Sequence, residues 1–482
     1  MRLALTPCRQ PSERLDARDL LTAQIVAESD GPLYDGVDVF WIPISLVTRV
    51  SSMNYSVVVV ACLVLFVSES GVWSKDKRPP NIVLIMADDL GCETLGSYGG
   101  TSYKTPHLDR LAAGGMRFRH CYSMPVCHPT RVCFLTGRYP FRLGNPKWGS
   151  FPKSEETRTI AHVLKRAGYA TAIAGKWQLT LLGKDRDHPH RLGFDDYCLF
   201  GWHEGPRYYQ PMLWQNGKLR SDVKNRFGPE VYVEFLAQFM ERNRNKPFFA
   251  FYSMALCHDV TDDLKDPVPY APAKDHYDTY KEMVEAMDVQ IGTLMATLDR
   301  LKLRENTLVL FTGDNGTPKS YIHAAENGKY IRKTFVSQQA DKAIRGGKGE
   351  LTNAGTNVPL IANWRGTIAT GKVVDDLVDF SDFFATAADL AGELTRADNV
   401  DGQSFLATLQ GQAQKGRQWA YSEQSSRFWV RTQRFKLYSD GRSFDVQSDP
   451  LEKKSLGKIL SADALAAKER LEKARVALGR DK

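Results

Sequence analysis

Two uninterrupted apolar runs, each ending in an acid, constrain the fold of this chain more than any other feature. Residues 81–87 read Asn-Ile-Val-Leu-Ile-Met-Ala and lead into Asp88 and Asp89, and residues 307–313 read Thr-Leu-Val-Leu-Phe-Thr-Gly and lead into Asp314 and Asn315. Runs with no apolar–polar alternation, rich in β-branched side chains, read as strands buried on both faces, the kind a parallel sheet contains. Ligands of such sheets sit beyond the carboxyl ends of the strands, and both acid pairs fall there. Four oxygen-bearing side chains with no His or Cys among them suit a hard divalent cation such as Ca²⁺ rather than zinc. Either pair alone would read more readily as a turn or a helix cap. Apolar strands alternate with helical patterns from about residue 80 to about residue 395, for example over 106–114, 157–168, 277–301 and 381–390, which implies parallel βαβ units.

A second feature is the run Cys127-His128-Pro129-Thr130-Arg131, followed by Leu135-Thr136-Gly137-Arg138. A cysteine just before a helix-starting proline presents sulfur at a helix N-terminus, where backbone N–H groups and the helix dipole favour an anion. Gly137 closes the short helix. Alone, Cys127 would read as a buried structural thiol. The run resembles the signature of the type I sulfatases, bacterial arylsulfatases among them: Cys-x-Pro-Ser-x-Arg or Cys-x-Pro-Ser-Arg, followed by Thr-Gly-Arg. The cysteine of that signature is oxidised after synthesis to formylglycine. Thr130 stands where Ser is usual and keeps a hydroxyl.

Further segments extend the resemblance. Gly175-Lys176-Trp177-Gln178-Leu179 is similar to the family's Gly-Lys-Trp-His-Leu, whose lysine contacts the sulfate. Gln178 departs from the pattern: the family's His both hydrogen-bonds the hydrated aldehyde and helps remove its proton, and a neutral amide can do only the first. The strand pattern at 247–252 leads to His258, matching the family's general acid, with Cys257 where Pro usually stands. Arg345-Gly346-Gly347-Lys348-Gly349-Glu350 resembles the loop whose lysine reaches the sulfate.

The resemblance implies an alkaline phosphatase-like α/β fold, a large central mostly parallel sheet flanked by helices with a small C-terminal α+β subdomain. It implies a catalytic set of Cys127, Arg131, Lys176, Gln178, His258 and Lys348. One Ca²⁺ would be held by Asp88, Asp89, Asp314, Asn315 and the modified position 127. Lys176, Lys348 and Arg131, with the cation, would neutralise the sulfate ester, and the hydrated aldehyde would attack sulfur while His258 protonates the departing alcohol. The implied partners are a sulfate ester, sulfated polysaccharide included, and a formylglycine-generating enzyme during maturation. Two rivals stand beside the sulfatase: a phosphonate or phosphodiester hydrolase of the same superfamily, and a sulfated-glycan binder impaired in catalysis, which Gln178 motivates.

Length and composition agree with such an enzyme. At 482 residues, 43% hydrophobic and 11% aromatic, the chain can bury a large core in two domains, expected at 79–395 and 396–482. In the second, 427–431 and 434–438 are strand candidates, Asp440-Gly441 is a hairpin signal, and a last helix after Ser461 carries Ala467, Leu471, Ala474 and Leu478 on one face.

The apolar run 57–67 is too short for a membrane span but fits a signal-peptide core, with Ser68 and Ser70 as small residues for cleavage. Translation is therefore expected from Met53, with 1–52 a misassigned or disordered leader, 53–70 the signal peptide, an uncleaved anchor being the alternative, and the mature protein periplasmic or secreted. Of eight cysteines, Cys8 and Cys62 fall in the leader. Committing Cys127 to an aldehyde leaves an odd number, and no disulfide is assigned.

The net charge of +8 is spread along the chain, with no basic run of the kind that marks a nucleic-acid tail, and it suits attraction of polyanions. Tyr197, Phe200, Trp202, Tyr208, Tyr209 and Trp214, with His203, Glu204 and Arg207 among them, form either a sugar-stacking platform or a satellite core under a long loop.

Overall fold

A computed structural model of the chain describes residues 78–480, apart from 203, 260–279, 327–328, 395–398, 414–415 and 458. The expected leader and signal peptide lie outside the described residues. Among the described residues no helix is long and apolar enough to cross a membrane.

Both opening runs are strands, and they are neighbours. Asn81–Ala87 and Thr307–Gly313 pair in parallel with Ile82 against Leu308 and Met86 against Thr312, so their acidic ends are carried to the same edge. The parallel centre of the ten-stranded sheet continues through Phe248–Ser253, Ala170–Trp177 and Asp196–Gly201. On one flank the antiparallel Leu360–Asn363 is followed by Met116–Tyr122 and Lys372–Asp379; on the other the sheet ends in the short Trp214–Gln215 and Lys218–Leu219.

The continuous hydrophobicity of the first run has a direct cause. Ile82, Leu84 and Met86 share a core with Phe134 of the helix Cys127–Thr136 and Phe383 of Asp382–Leu390. Val83, Ile85 and Ala87 face the opposite core, with Leu236 of Gly228–Arg242 and Met283 of Tyr280–Arg300. Successive side chains point to opposite faces and both faces are covered, so after Asn81, whose amide is hydrogen-bonded to Thr307 and Phe248 N, every position to Ala87 is apolar. Each large side chain buried this way contributes about 1.5–3 kcal/mol.

The helical patterns form helices with shorter ends. The 157–168 pattern yields Ile160–Arg166, because Thr159 accepts from the backbone N–H of His162 and serves as N-cap. The 106–114 pattern yields Pro106–Ala113. At the C-terminus, Ala420–Gln424, Arg427–Arg431, Phe435–Tyr438 and Ser443–Asp445 form an antiparallel sheet. The closing helix Ala462–Leu478 is capped by Ser461 and ends at Gly479 in the left-handed region, with Leu471, Ala474 and Leu478 buried. Arg417, almost fully buried, lies 3.1 Å from Asp379, donates to Asp382 at 2.9 Å and to Tyr139 at 3.1 Å, and so ties the segment entering the antiparallel sheet to the main sheet and its helices.

Candidate active site

The carboxyl edge of the parallel strands brings the sequence-selected residues into one buried cluster. Asp88 continues its strand, its N–H donating to Leu256 O at 2.8 Å and its carbonyl accepting from Cys257 N at 2.7 Å. Asp89 then turns out of the sheet at φ +61°, a left-handed conformation uncommon for a non-glycine residue, and its N–H is held by Asp314 Oδ1 at 3.1 Å. Two strands over, in Ala170–Trp177, Gly175 sits at φ +104°, where a Cβ would stand 2.0 Å from O of Ser253 on the intervening strand Phe248–Ser253. Only glycine lets these two strands approach directly beneath Lys176.

The helix that presents Cys127 begins at Cys127 itself, two residues before the proline expected to start it, with Val126 as N-cap. Pro129 is tolerated in that first turn because an N–H there has no intrahelical partner to lose. Thr130 directs its hydroxyl to the carbonyls of Met124 at 3.1 Å and Val126 at 3.0 Å. Gly137 ends the helix at φ +67°.

Three carboxylates face three cations. Lys176 Nζ donates to both oxygens of Asp88 at 2.9 and 2.7 Å, Arg131 grips Asp314 Oδ2 at 3.1 and 2.7 Å, and Lys348 Nζ reaches Asp89 Oδ2 at 2.6 Å. Lys348 is placed by its glycine loop: a Cβ on Gly346 would stand 1.8 Å from Pro318 O, and Lys348 N donates to Thr317 O at 3.0 Å. Against the burial that would raise it, Lys176, His258 and Arg131 hold Asp88 well below the usual carboxylate range. Burial, with Asp88 adding repulsion, pushes Asp314 up. Burial also pushes the Cys127 thiol up, against Lys176 and Lys348, so the group as encoded is not an activated thiolate.

The donor set fits a divalent cation. Ligand atoms of Asp88, Cys127 and Asp314 lie within 4.8 Å of one another. Asn315 donates through Nδ2 to Asp89 Oδ1 at 2.7 Å and to Gly316 O at 2.9 Å, while its fully buried Oδ1 has no hydrogen-bond partner. A buried acceptor left unsatisfied costs about 1–3 kcal/mol, and a cation in the carboxylate cluster would satisfy this one. Gln178 shows the same asymmetry, its Nε2 donating to Cys127 Sγ at 3.2 Å and its Oε1 unpartnered.

His258 points its Nδ1 at Asp259 O, 2.7 Å away, which makes Nδ1 the protonated nitrogen and leaves Nε2 3.7 Å from Asp89 Oδ2. Burial, then the charge of Lys348, pushes its pKa down to about 3.

Two contributors, Ser253 and Tyr280, were not singled out in the sequence, and a third, Trp202, was named only as part of the aromatic cluster. Ser253 accepts from Arg131 Nη1 and donates to Lys176 O at 2.8 Å, linking the two cationic segments. Tyr280 donates to the carbonyl of the strained Asp89 at 2.7 Å. Trp202 lies with its ring 4.8 Å from Lys176 Nζ and edge-on to His258 at 5.4 Å. The rest of its aromatic cluster is no platform: Tyr197 and Trp214 belong to one core layer, and Phe200 and Tyr208 to the other. Glu204 accepts from the backbone of Leu182 and Gly183, Arg207 stacks over Phe200 and Trp202, and His203 lies outside the described residues.

The sulfatase family model matches residues 80–393. The chain belongs to the sulfatase family. It is 32% identical over 426 residues to steryl-sulfatase of Mus musculus, covering 70% of this chain and 66% of that protein. To N-acetylgalactosamine-6-sulfatase of Homo sapiens it is 31% identical over 376 residues, covering 69% of this chain and 66% of the relative. The chain thus spans about two thirds of the length of both. The solved PsFucS1 sulfatase from Pseudoalteromonas sp. shares the fold at a TM-score of 0.65 and 24% identity, covering 84% of this chain and 91% of that one. Membership places this sulfatase among the sulfuric ester hydrolases, and its sheet among the alkaline phosphatase-like folds.

Proposed function

We propose that this sulfatase, once exported, hydrolyses sulfate esters of carbohydrate or aryl alcohols at a formylglycine made from Cys127, beside a divalent cation that the ligand chemistry makes calcium. The observation that carries the reading is the convergence of Asp88, Asp89, Asp314 and the unpartnered Asn315 Oδ1 around position 127. Three carboxylates balance three cationic side chains, so a bound divalent cation leaves a surplus of positive charge to receive an anionic ester. Export rests on the apolar run 57–67 of the sequence.

Formylglycine and calcium together would supply a geminal diol as nucleophile and a Lewis acid to make it more acidic. The chain's own residues do the rest. Arg131, Lys176 and Lys348 hold the sulfate and offset the charge that grows as the ester bond breaks. Gln178 fixes the group at position 127, donating through Nε2 and accepting through Oε1. The arriving sulfate offsets the Lys348 charge and shifts His258 toward the imidazolium, which protonates the departing alcohol through Nε2.

The relatives' names, a steryl and an N-acetylgalactosamine-6-sulfatase, leave the alcohol open between a fused apolar ring system and a sugar. Both present a broad C–H face, and Trp148, half exposed, offers an aromatic face stacked at 5.2 Å on Trp202, whose ring lies 4.8 Å from Lys176 Nζ.

The test is a sulfate-release screen over aryl, steroid and carbohydrate sulfates with protein made alongside a formylglycine-generating enzyme. Hydrolysis should appear only in converted protein, and a chelator should remove it. Turnover of phosphodiesters in preference to every sulfate would overturn the reading, as would full activity with an alkylatable Cys127.

A further inference from the structure

A cavity of about 760 Å³ lies apart from the catalytic cluster, between the strand Met116–Tyr122, the hairpin of Val336–Gln339 with Lys342–Arg345, and the C-terminal antiparallel sheet. None of the cluster residues lines it. The two share a wall, because Cys92 and Glu93 line the cavity and follow Asp88 and Asp89 by a few residues. Glu93 also hydrogen-bonds Thr317, whose carbonyl accepts from Lys348 N at 3.0 Å.

The lining is strongly basic: Arg117, Arg119, Lys342, Arg431 and Arg434 against Glu93 and Asp375. Two of the cations are already spent, Arg119 on Asp375 at 2.6 Å and Arg434 on Asp445 at 2.9 Å. Arg117 and Lys342 have no carboxylate partner among the described residues. The guanidiniums are organised by tyrosine rings, Arg117 over Tyr98 at 5.4 Å and Arg431 over Tyr122 at 4.3 Å. Asn353, Asn357 and Gln339 add amide groups to the same walls.

We infer that this cavity is a second binding site that holds the sulfate groups of a sulfated oligosaccharide away from the bond being hydrolysed. Its cations are set on three separate elements, which suits several anionic groups along a chain rather than one anion. A lone sulfate would leave most of the volume to water, whereas an oligosaccharide of several pyranose rings would fill it. The C-terminal sheet, which contributes nothing to the cluster described above, supplies the charge of Arg431, whose guanidinium is held by the carbonyls of Thr432 and Gln433 and by Asn353 and meets no carboxylate among the described residues. The inference rests on the sulfatase reading for its choice of polyanion, and its test does not use turnover of that polyanion.

The experiment is calorimetric titration of the Cys127→Ala protein with a chondroitin sulfate hexasaccharide, its disaccharide, the unsulfated hexasaccharide and inorganic sulfate. The expected result is binding of the sulfated hexasaccharide that weakens roughly tenfold in the Arg117→Ala/Lys342→Ala variant, a change of about 1.4 kcal/mol. The disaccharide and the unsulfated chain should bind weakly. In converted protein the same double substitution should leave kcat and KM for a small aryl sulfate unchanged, which also reports that the variant is folded. Equal binding of the hexasaccharide by parent and double variant overturns the inference. So does inorganic sulfate competing as well as the hexasaccharide at equal sulfate concentration, because the cavity is then a simple anion site. If converted protein cleaves no sulfate ester while the binding difference persists, the proposed function fails and the cavity stands. If esters are cleaved and binding is unchanged, the cavity fails alone.

Discussion

At the scale of single residues, Gln178 is the departure from the family pattern that bears most directly on the chemistry, more than Thr130 or Cys257. Its amide can bond the group at position 127 in both directions but cannot take up a proton at neutral pH. In the proposed mechanism, attack on sulfur would keep its acid, His258, while the step that expels sulfate would lack the usual base. A pre-steady-state burst of alcohol is therefore expected on an aryl sulfate, and Gln178→His should shrink the burst and raise steady-state turnover. Absence of a burst in the parent protein, read by rapid-quench kinetics, would mean that another group removes the proton. The charge cluster gives a second expectation. Asp314→Ala or Asp89→Ala should lower calcium affinity and turnover together, by about 10²–10³ in rate, whereas Lys348→Ala should cost turnover of that order with calcium still bound in titration. These positions were legible because each ends a recognisable run. Ser253 and Tyr280 were not: a serine ending an apolar strand and a tyrosine opening a helix look like packing residues until the chain is folded around them.

Elements carry the next level of constraint. The strands Ala170–Trp177 and Phe248–Ser253 approach so closely at Gly175 that any side chain would collide with the backbone beneath Lys176. Gly175→Ala adds left-handed strain to that collision and should destabilise the protein by about 2–4 kcal/mol, seen as a lowered thermal midpoint. Turnover at a temperature where the variant is still folded should fall as well, because Lys176 and Ser253 are displaced together. Long apolar runs announced the central strands, since burial on both faces leaves no freedom for polar residues. The aromatic cluster did not announce its arrangement. Its rings divide between two core layers, and Trp202 meets Lys176 through a loop whose path no periodicity encodes.

Over the whole molecule, a few buried polar ties hold distant segments together. Arg417 faces Asp379 and Asp382 with almost no exposure, so Arg417→Met would leave two buried carboxylates without their cation and should cost about 3–5 kcal/mol in denaturant unfolding. Restoring neutrality with Asp382→Asn in the same chain should recover part of that loss. The order of the catalytic segments along the chain has a further consequence, one of timing. Cys127 is wholly enclosed in the folded protein, yet residues that close over it, such as His258, Asp314 and Lys348, are synthesised long after it. If Cys127 is converted as proposed, the oxidising enzyme would have to reach it while the later segments are still unplaced, and folding would end the opportunity. Folded, unconverted protein mixed with a formylglycine-generating enzyme should keep an alkylatable thiol, while the isolated peptide 120–131 should be converted. Conversion of the folded protein at the peptide's rate would show that the enclosure opens readily. Otherwise the fraction of active molecules in any preparation is decided during synthesis, by a race between oxidation and folding, and later addition of the maturation enzyme cannot raise it.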